Sequence, residues 1–136
     1  MSNIVAGIGR GQLKVLDQRI EKKKYIYEHY KKELHGKAGI QMMPVHDWNK
    51  PNYWLSCISL HEELKPLDIM KALDAENIES RPIWKPMHMQ PFFKGYNFIG
   101  EGICEKIFEN GICLPSDTRM DDNDLEKIVA IIKSIF

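Results

Sequence analysis

No proline stands between Asn3 and Leu34, and apolar side chains at Leu13, Leu16, Ile20, Tyr27, Tyr30 and Leu34 recur at helical spacing. Lys22, Lys23, Lys24, Lys31 and Lys32 fill much of the other face. The pattern predicts one long helix over about residues 3–34. A helix rises roughly 1.5 Å per residue, so this one would be longer than a domain of 136 residues is wide. Its first turns are therefore expected to dock on something the chain does not supply. That end carries Gly7, Gly9 and Gly11, each costing about 1 kcal/mol against alanine inside a helix. Close packing against another backbone would account for them. A phosphate-cradling loop would not, since no strand precedes them and the spacing is not GxGxxG.

The remaining hundred or so residues alternate between strand and helix patterns. Ile40–Pro44 and Tyr53–Leu60 read as strands separated by the polar, turn-forming run His46–Asn52, and the second strand is expected to be central. Pro66–Asn77 reads as a helix with Leu67, Met70 and Leu73 on one face. Ile78–Trp84 returns as a strand, a helix after Gly100 stops at Asn110-Gly111, and Ile112–Pro115 is a short strand. Asp121 can cap a last helix striped by Leu125, Ile128, Val129, Ile132 and Ile135. This order predicts an α+β fold: a long N-terminal helix, then a small, mostly antiparallel sheet with helices packed on one side. One domain over residues 1–136 is expected, with 1–35 as a linking helix and 36–136 as the α+β body.

Charge and cysteine content narrow the class. Nineteen basic and nineteen acidic residues balance, which removes any global electrostatic case for nucleic acid or a membrane surface. The start Met1-Ser2-Asn3-Ile4 lacks a cationic and apolar leader, and no apolar run reaches membrane-spanning length. Cys57, Cys104 and Cys113 fit neither a disulfide framework nor a CxxC site, and read as reduced, buried thiols. A cytoplasmic protein follows as the expectation.

Chemistry concentrates in Ser80–Phe93, where Pro82, Pro86 and Pro91 stand among Arg81, Trp84, Lys85, His88, Phe92 and Phe93. Each proline fixes its own φ and holds the residue before it extended, so Arg81, Lys85 and Gln90 are held out of the helical region on a stiff ribbon. A ring, a fixed cation and an imidazole on such a ribbon suit a small ligand with a ring and a negative charge, such as a sugar joined to a phosphate. The plainer alternative is a connection whose aromatics cover the core. His46-Asp47 reads as turn chemistry, and Ser116-Asp117 as a turn and cap because no GxSxG elbow surrounds it. The five histidines show no HxxxH or HExxH spacing, so no metal site is expected.

Three landmarks in order carry a resemblance that spans nearly the whole chain. They are Met1-Ser2-Asn3-Ile4 with Ile8-Gly9-Arg10-Gly11-Gln12-Leu13 opening the first helix, Arg81-Pro82-Ile83-Trp84-Lys85-Pro86-Met87-His88-Met89-Gln90-Pro91, and Gly111-Ile112-Cys113-Leu114-Pro115-Ser116 before the last helix. In these the chain resembles the C-terminal, small domain of the DegT/DnrJ/StrS family, the pyridoxal phosphate-dependent nucleotide-sugar aminotransferases of fold type I. The form of the ribbon looks most like members that aminate keto sugars on UDP or a related nucleotide, as in UDP-bacillosamine-type glycan synthesis. The resemblance implies transfer of an amino group from glutamate, a homodimer with active sites between subunits and domains, and Arg81, Trp84, Lys85 and His88 facing the sugar nucleotide.

It also implies what this chain lacks. The family's Schiff-base lysine, the aspartate at the pyridine nitrogen and most phosphate contacts belong to a large domain that would precede Met1. No catalytic and no cofactor-binding residue is therefore expected here, Lys85 not being at the family's cofactor-lysine position. The isolated chain is expected to be inactive, with Ile4, Val5 and Ile8 as the face on which the large domain, or a separate chain carrying it, packs. The rival readings are one half of a split enzyme, a non-enzymatic sugar-nucleotide-binding module, and an interaction protein that self-associates through the first helix.

Overall fold

The computed structural model describes residues 2–61 and 64–136; Met1, with which the first landmark begins, lies outside the described residues. The expected single helix is two, α1 (Asn3–Leu13) and α2 (Leu16–Leu34). At Lys14 and Val15 the amides bond to carbonyls three residues back, at Gly11 (3.3 Å) and Gln12 (3.2 Å), and Val15 leaves the helical region at φ −114°, ψ 4°. The turn tightens and the axis breaks without a proline. The break divides a covered segment from an uncovered one. α2 buries Ile26, Tyr27, Tyr30 and Leu34, whereas α1 buries nothing and Leu13 and Leu16 are exposed.

Strands β1 (Ile40–Met42), β2 (Ser56–Leu60), β3 (Arg81–Pro82) and β4 (Gly111–Leu114) form one sheet in the order β1-β2-β4-β3, with every pairing antiparallel. β2 is interior, as its sequence predicts. It begins at Ser56 rather than Tyr53 because Tyr53 takes a left-handed conformation, φ 51°. The strand expected over Ile78–Trp84 shrinks to two residues at the sheet edge, where a proline that cannot donate to the ladder is tolerated.

Register places Ile40, Met42, Ile58, Leu60, Ile112 and Leu114 on one face. Helices α2, α3 (Pro66–Asp74) and α5 (Asp122–Lys133) supply the other side of that core. α3 turns Ile69 and Leu73 inward, with Met70 at the margin and Leu67 exposed, so its buried stripe is rotated from the one expected. α5 buries Leu125, Ile128, Val129 and Ile132, each contributing about 1.5–3 kcal/mol by leaving water. Its start is fixed by a reciprocal cap between Asp121 and Asp124, at 2.9 and 3.1 Å. Tyr27 and Tyr30 donate from α2 to the carbonyls of Met43 (2.7 Å) and Pro115 (2.9 Å), pinning the helix to two strand ends.

The opposite face carries Arg81, Cys113, Cys57 and Ser59, and α4 (Ile103–Asn110) contacts β2 and β4. Gly111 joins α4 to β4 with an ordinary extended backbone, so it is not the left-handed stop its position suggests. Space requires the glycine: an added Cβ would lie 2.3 Å from Ile83 Cδ1 and 2.4 Å from the Ile107 carbonyl oxygen.

Candidate functional site

A groove of about 660 Å³ opens where the chain enters β2, passes β3 and leaves β4. Trp54 and Leu55, Glu79–Lys85, Phe108 and Cys113–Asp117 line it, together with Lys23 of α2. The volume suits a ligand of small-molecule size. Trp54 and Trp84 both line the groove, with ring centroids 5.9 Å apart at 41° and 64% and 63% exposure. Two open indoles provide ring faces for a planar or sugar ligand, so Trp84 does not serve as core cover.

Three of the four residues singled out in the sequence meet here. Arg81 sits on β3 beside Cys113, its guanidinium held by Glu79 at 2.6 and 2.8 Å in an exposed ion pair. Lys85 follows Trp84 into solvent, and among the described residues it forms no ion pair. Ser80 also lines the groove, its hydroxyl without a hydrogen-bond partner among the described residues.

Lys23 is the groove residue that the sequence reading placed on the solvated face. Its ammonium donates to the carbonyl oxygens of Trp54 (3.1 Å) and Ser116, tying α2 to the entrance of β2 and the exit of β4. Burial lowers its pKa and the nearby Asp117 carboxylate opposes that shift. The signal was present in the spacing: Lys23 lies four and seven residues before the buried Tyr27 and Tyr30, on the same stripe of the helix. Asp117 is held below the ordinary carboxyl range first by the Arg119 side chain and backbone, with Lys23 a smaller contributor. Ser116 is structural, donating to Leu114 O at 3.0 Å and accepting from the Ser56 amide at 3.2 Å.

His88 does not join the groove. The ribbon bends after Pro86 into two 3-10 turns, Met87–Met89 and Pro91–Phe93, with only Gln90 between them extended. His88 on the first turn is stacked against Phe98, with centroids 3.6 Å apart, and its Nε2 is 2.7 Å from Glu105 Oε1 on α4. The imidazole lines a separate, smaller cavity of about 280 Å³. Cys104 Sγ stands 3.1 Å from the other oxygen of Glu105 and is exposed, in contrast to the buried thiol expected. Cys57 and Cys113 face each other across β2 and β4 at 3.6 Å, and burial next to its neighbour pushes the Cys57 thiol up to about 12, well outside the reactive range.

His46 and Asp47 lie in the loop before β2, where His46 stacks on Trp48 and its amide donates to Asn49 Oδ1, as turn chemistry requires. Among the described residues no helix is long and apolar enough to cross a membrane.

Comparison with known proteins places these features in context. The profile of the DegT/DnrJ/EryC1/StrS aminotransferase family matches residues 1–133. EpsN of Bacillus subtilis (strain 168), provisionally named a pyridoxal phosphate-dependent aminotransferase, is 39% identical over 140 residues, covering 100% of this chain and 36% of its own. The GDP-perosamine synthase of Vibrio cholerae is 33% identical over 144 residues, covering 100% of this chain and 38% of its own. The crystal structure of the aminotransferase TlmJ from Streptoalloteichus hindustanus superposes with a TM-score of 0.84 at 20% identity, over 95% of this chain and 35% of that one, a likeness of fold. The chain thus spans a little over a third of the length of the relatives it matches.

Proposed function

Since the chain belongs to the DegT/DnrJ/EryC1/StrS aminotransferase family, we propose that it forms the small domain of an enzyme that moves an amino group from glutamate to a keto sugar carried on UDP or a related nucleotide. The groove of about 660 Å³ carries this reading. Trp54 and Trp84 offer ring faces to the base or sugar, and Lys85, in no ion pair among the described residues, offers an ammonium to a diphosphate. Arg81, paired with Glu79 through Nε and Nη2, can still donate to the ligand from Nη1. His88, turned away from the groove and held by Glu105, takes no part in ligand contact in this proposal. The Trp84-Lys85-Pro86-Met87-His88 form of the ribbon is what favours UDP.

Pyridoxal phosphate chemistry needs an amine to carry the cofactor and a carboxylate at its pyridine nitrogen. The groove does not fit it. Lys23 is committed to two carbonyls, Glu79 to Arg81 and Asp117 to Arg119, leaving Lys85 with no free carboxylate in the groove. The cofactor and the lysine that carries it accordingly belong, in this proposal, to the part of the enzyme outside this chain. The exposed face Ile4, Val5 and Ile8 of α1 is the surface on which that part docks.

Titration of this chain with UDP, GDP and TDP, read by tryptophan fluorescence, tests the groove. UDP should quench saturably and bind most tightly, and Trp84→Ala and Lys85→Ala should each weaken it about tenfold, about 1.4 kcal/mol. A response that both substitutions leave unchanged would place the nucleotide elsewhere and remove the basis of the reading.

A further inference from the structure

Beyond the groove, and independently of its assignment, we infer that His88, Cys104 and Glu105 form a site for one divalent transition ion of the zinc type. Each residue presents one ligand atom, and the three atoms lie within 4.8 Å of one another. The carboxylate is central: Oε1 meets His88 Nε2 at 2.7 Å and Oε2 meets Cys104 Sγ at 3.1 Å. Nitrogen, sulfur and oxygen donors together suit a borderline-soft divalent ion better than calcium or magnesium, which take oxygen ligands.

Charge and geometry agree with that choice. Binding would release the thiol proton of Cys104 to solvent and use His88 as a neutral imidazole. A thiolate, a carboxylate and a dication then sum to zero charge, with a fourth tetrahedral position open to water. Ligand–metal bonds of about 2.0–2.3 Å set tetrahedral edges of roughly 3.3–3.7 Å, so the hydrogen-bonded pairs must open by about half an ångström and a pair near the 4.8 Å limit must close by about one. Rotation of the exposed Cys104 side chain adjusts its own pair, and rotation of the Glu105 carboxylate adjusts the pair with His88.

The supports are already in place. His88 is on a 3-10 turn between Pro86 and Pro91, its ring is backed by Phe98, and its side chain is only 21% exposed. Cys104 and Glu105 stand in the first turn of α4, where the helix dipole favours anionic ligands. An ion would fasten the ribbon to α4 and close the loop running through residues 89–103. No HxxxH or paired-cysteine spacing announces such a site because its ligands come from two segments brought together only by the fold.

Cobalt(II) is the probe. Added to the reduced 136-residue chain, it should produce a thiolate-to-cobalt charge-transfer band that saturates at one equivalent and disappears on adding zinc. Cys104→Ser should lose the band, Glu105→Gln should weaken binding at least about tenfold, and Cys57→Ala combined with Cys113→Ala should keep the band. Circular dichroism of each variant separates ligand loss from unfolding. Absence of the band in the parent chain, or its survival in Cys104→Ser, would overturn the assignment.

Discussion

Charged residues here act through the one or two neighbours that hold them. Glu33 lies below the ordinary carboxyl range, first through the hydrogen bond from Lys133 at 2.6 Å and then through that ion's charge. The folded chain thus protonates Glu33 less readily than the unfolded one, so the stabilisation is complete above the ordinary value of 4.5 and fades as pH falls through the lower folded value. Glu33→Gln should lower the denaturation midpoint at neutral pH, and the gap to the parent should close well below pH 4.5. Urea unfolding at stepped pH measures it; a gap that widens on acidification would refute the pairing. At this scale the sequence was partly legible. Proline spacing gathered Arg81, Trp84 and Lys85, since they lie within one five-residue stretch of the chain. Lys23, Trp54 and Glu105 reach their partners only through tertiary packing, across 93 residues in the case of Lys23 and Ser116.

Among the elements, similar sequence signals divide according to what covers them. Gly111 and Gly7 both occupy or adjoin helices, yet a Cβ would strike Ile83 and the Ile107 carbonyl at the first and nothing within 4 Å at the second. Gly111→Ala should destabilise the chain by about 2 kcal/mol through overpacking against backbone. Gly7→Ala should be neutral or stabilising by up to about 1 kcal/mol in this chain. Thermal unfolding of the two variants compares them directly, and equal effects would contradict the geometry. The strongly periodic α5 and the central β2 were readable because apolar pattern and burial coincide there. The break at Lys14–Val15 was not, because periodicity continues through Leu13 and Leu16 although both side chains face solvent.

For the molecule as a whole, the proposed function makes this chain a domain that contributes half of a site. With no carboxylate in the groove free to partner a pyridine nitrogen, pyridoxal phosphate added to this chain and trapped with borohydride should spread over surface lysines. Preferential labelling of Lys85, read by peptide mass mapping, would show a cofactor site that this account denies. The α+β architecture was legible from element order, whereas the separation of His88 from the groove depends on two 3-10 turns that no periodicity marks. The most direct test of the central claim is amide and indole chemical-shift mapping of the chain with a UDP-sugar. The account predicts that the shifts concentrate on Lys23, Trp54, Arg81, Trp84, Lys85 and Ser116 around the groove. Shifts gathered instead at the cavity beside β1, around Gln41–Val45, or none at saturating ligand, would contradict it.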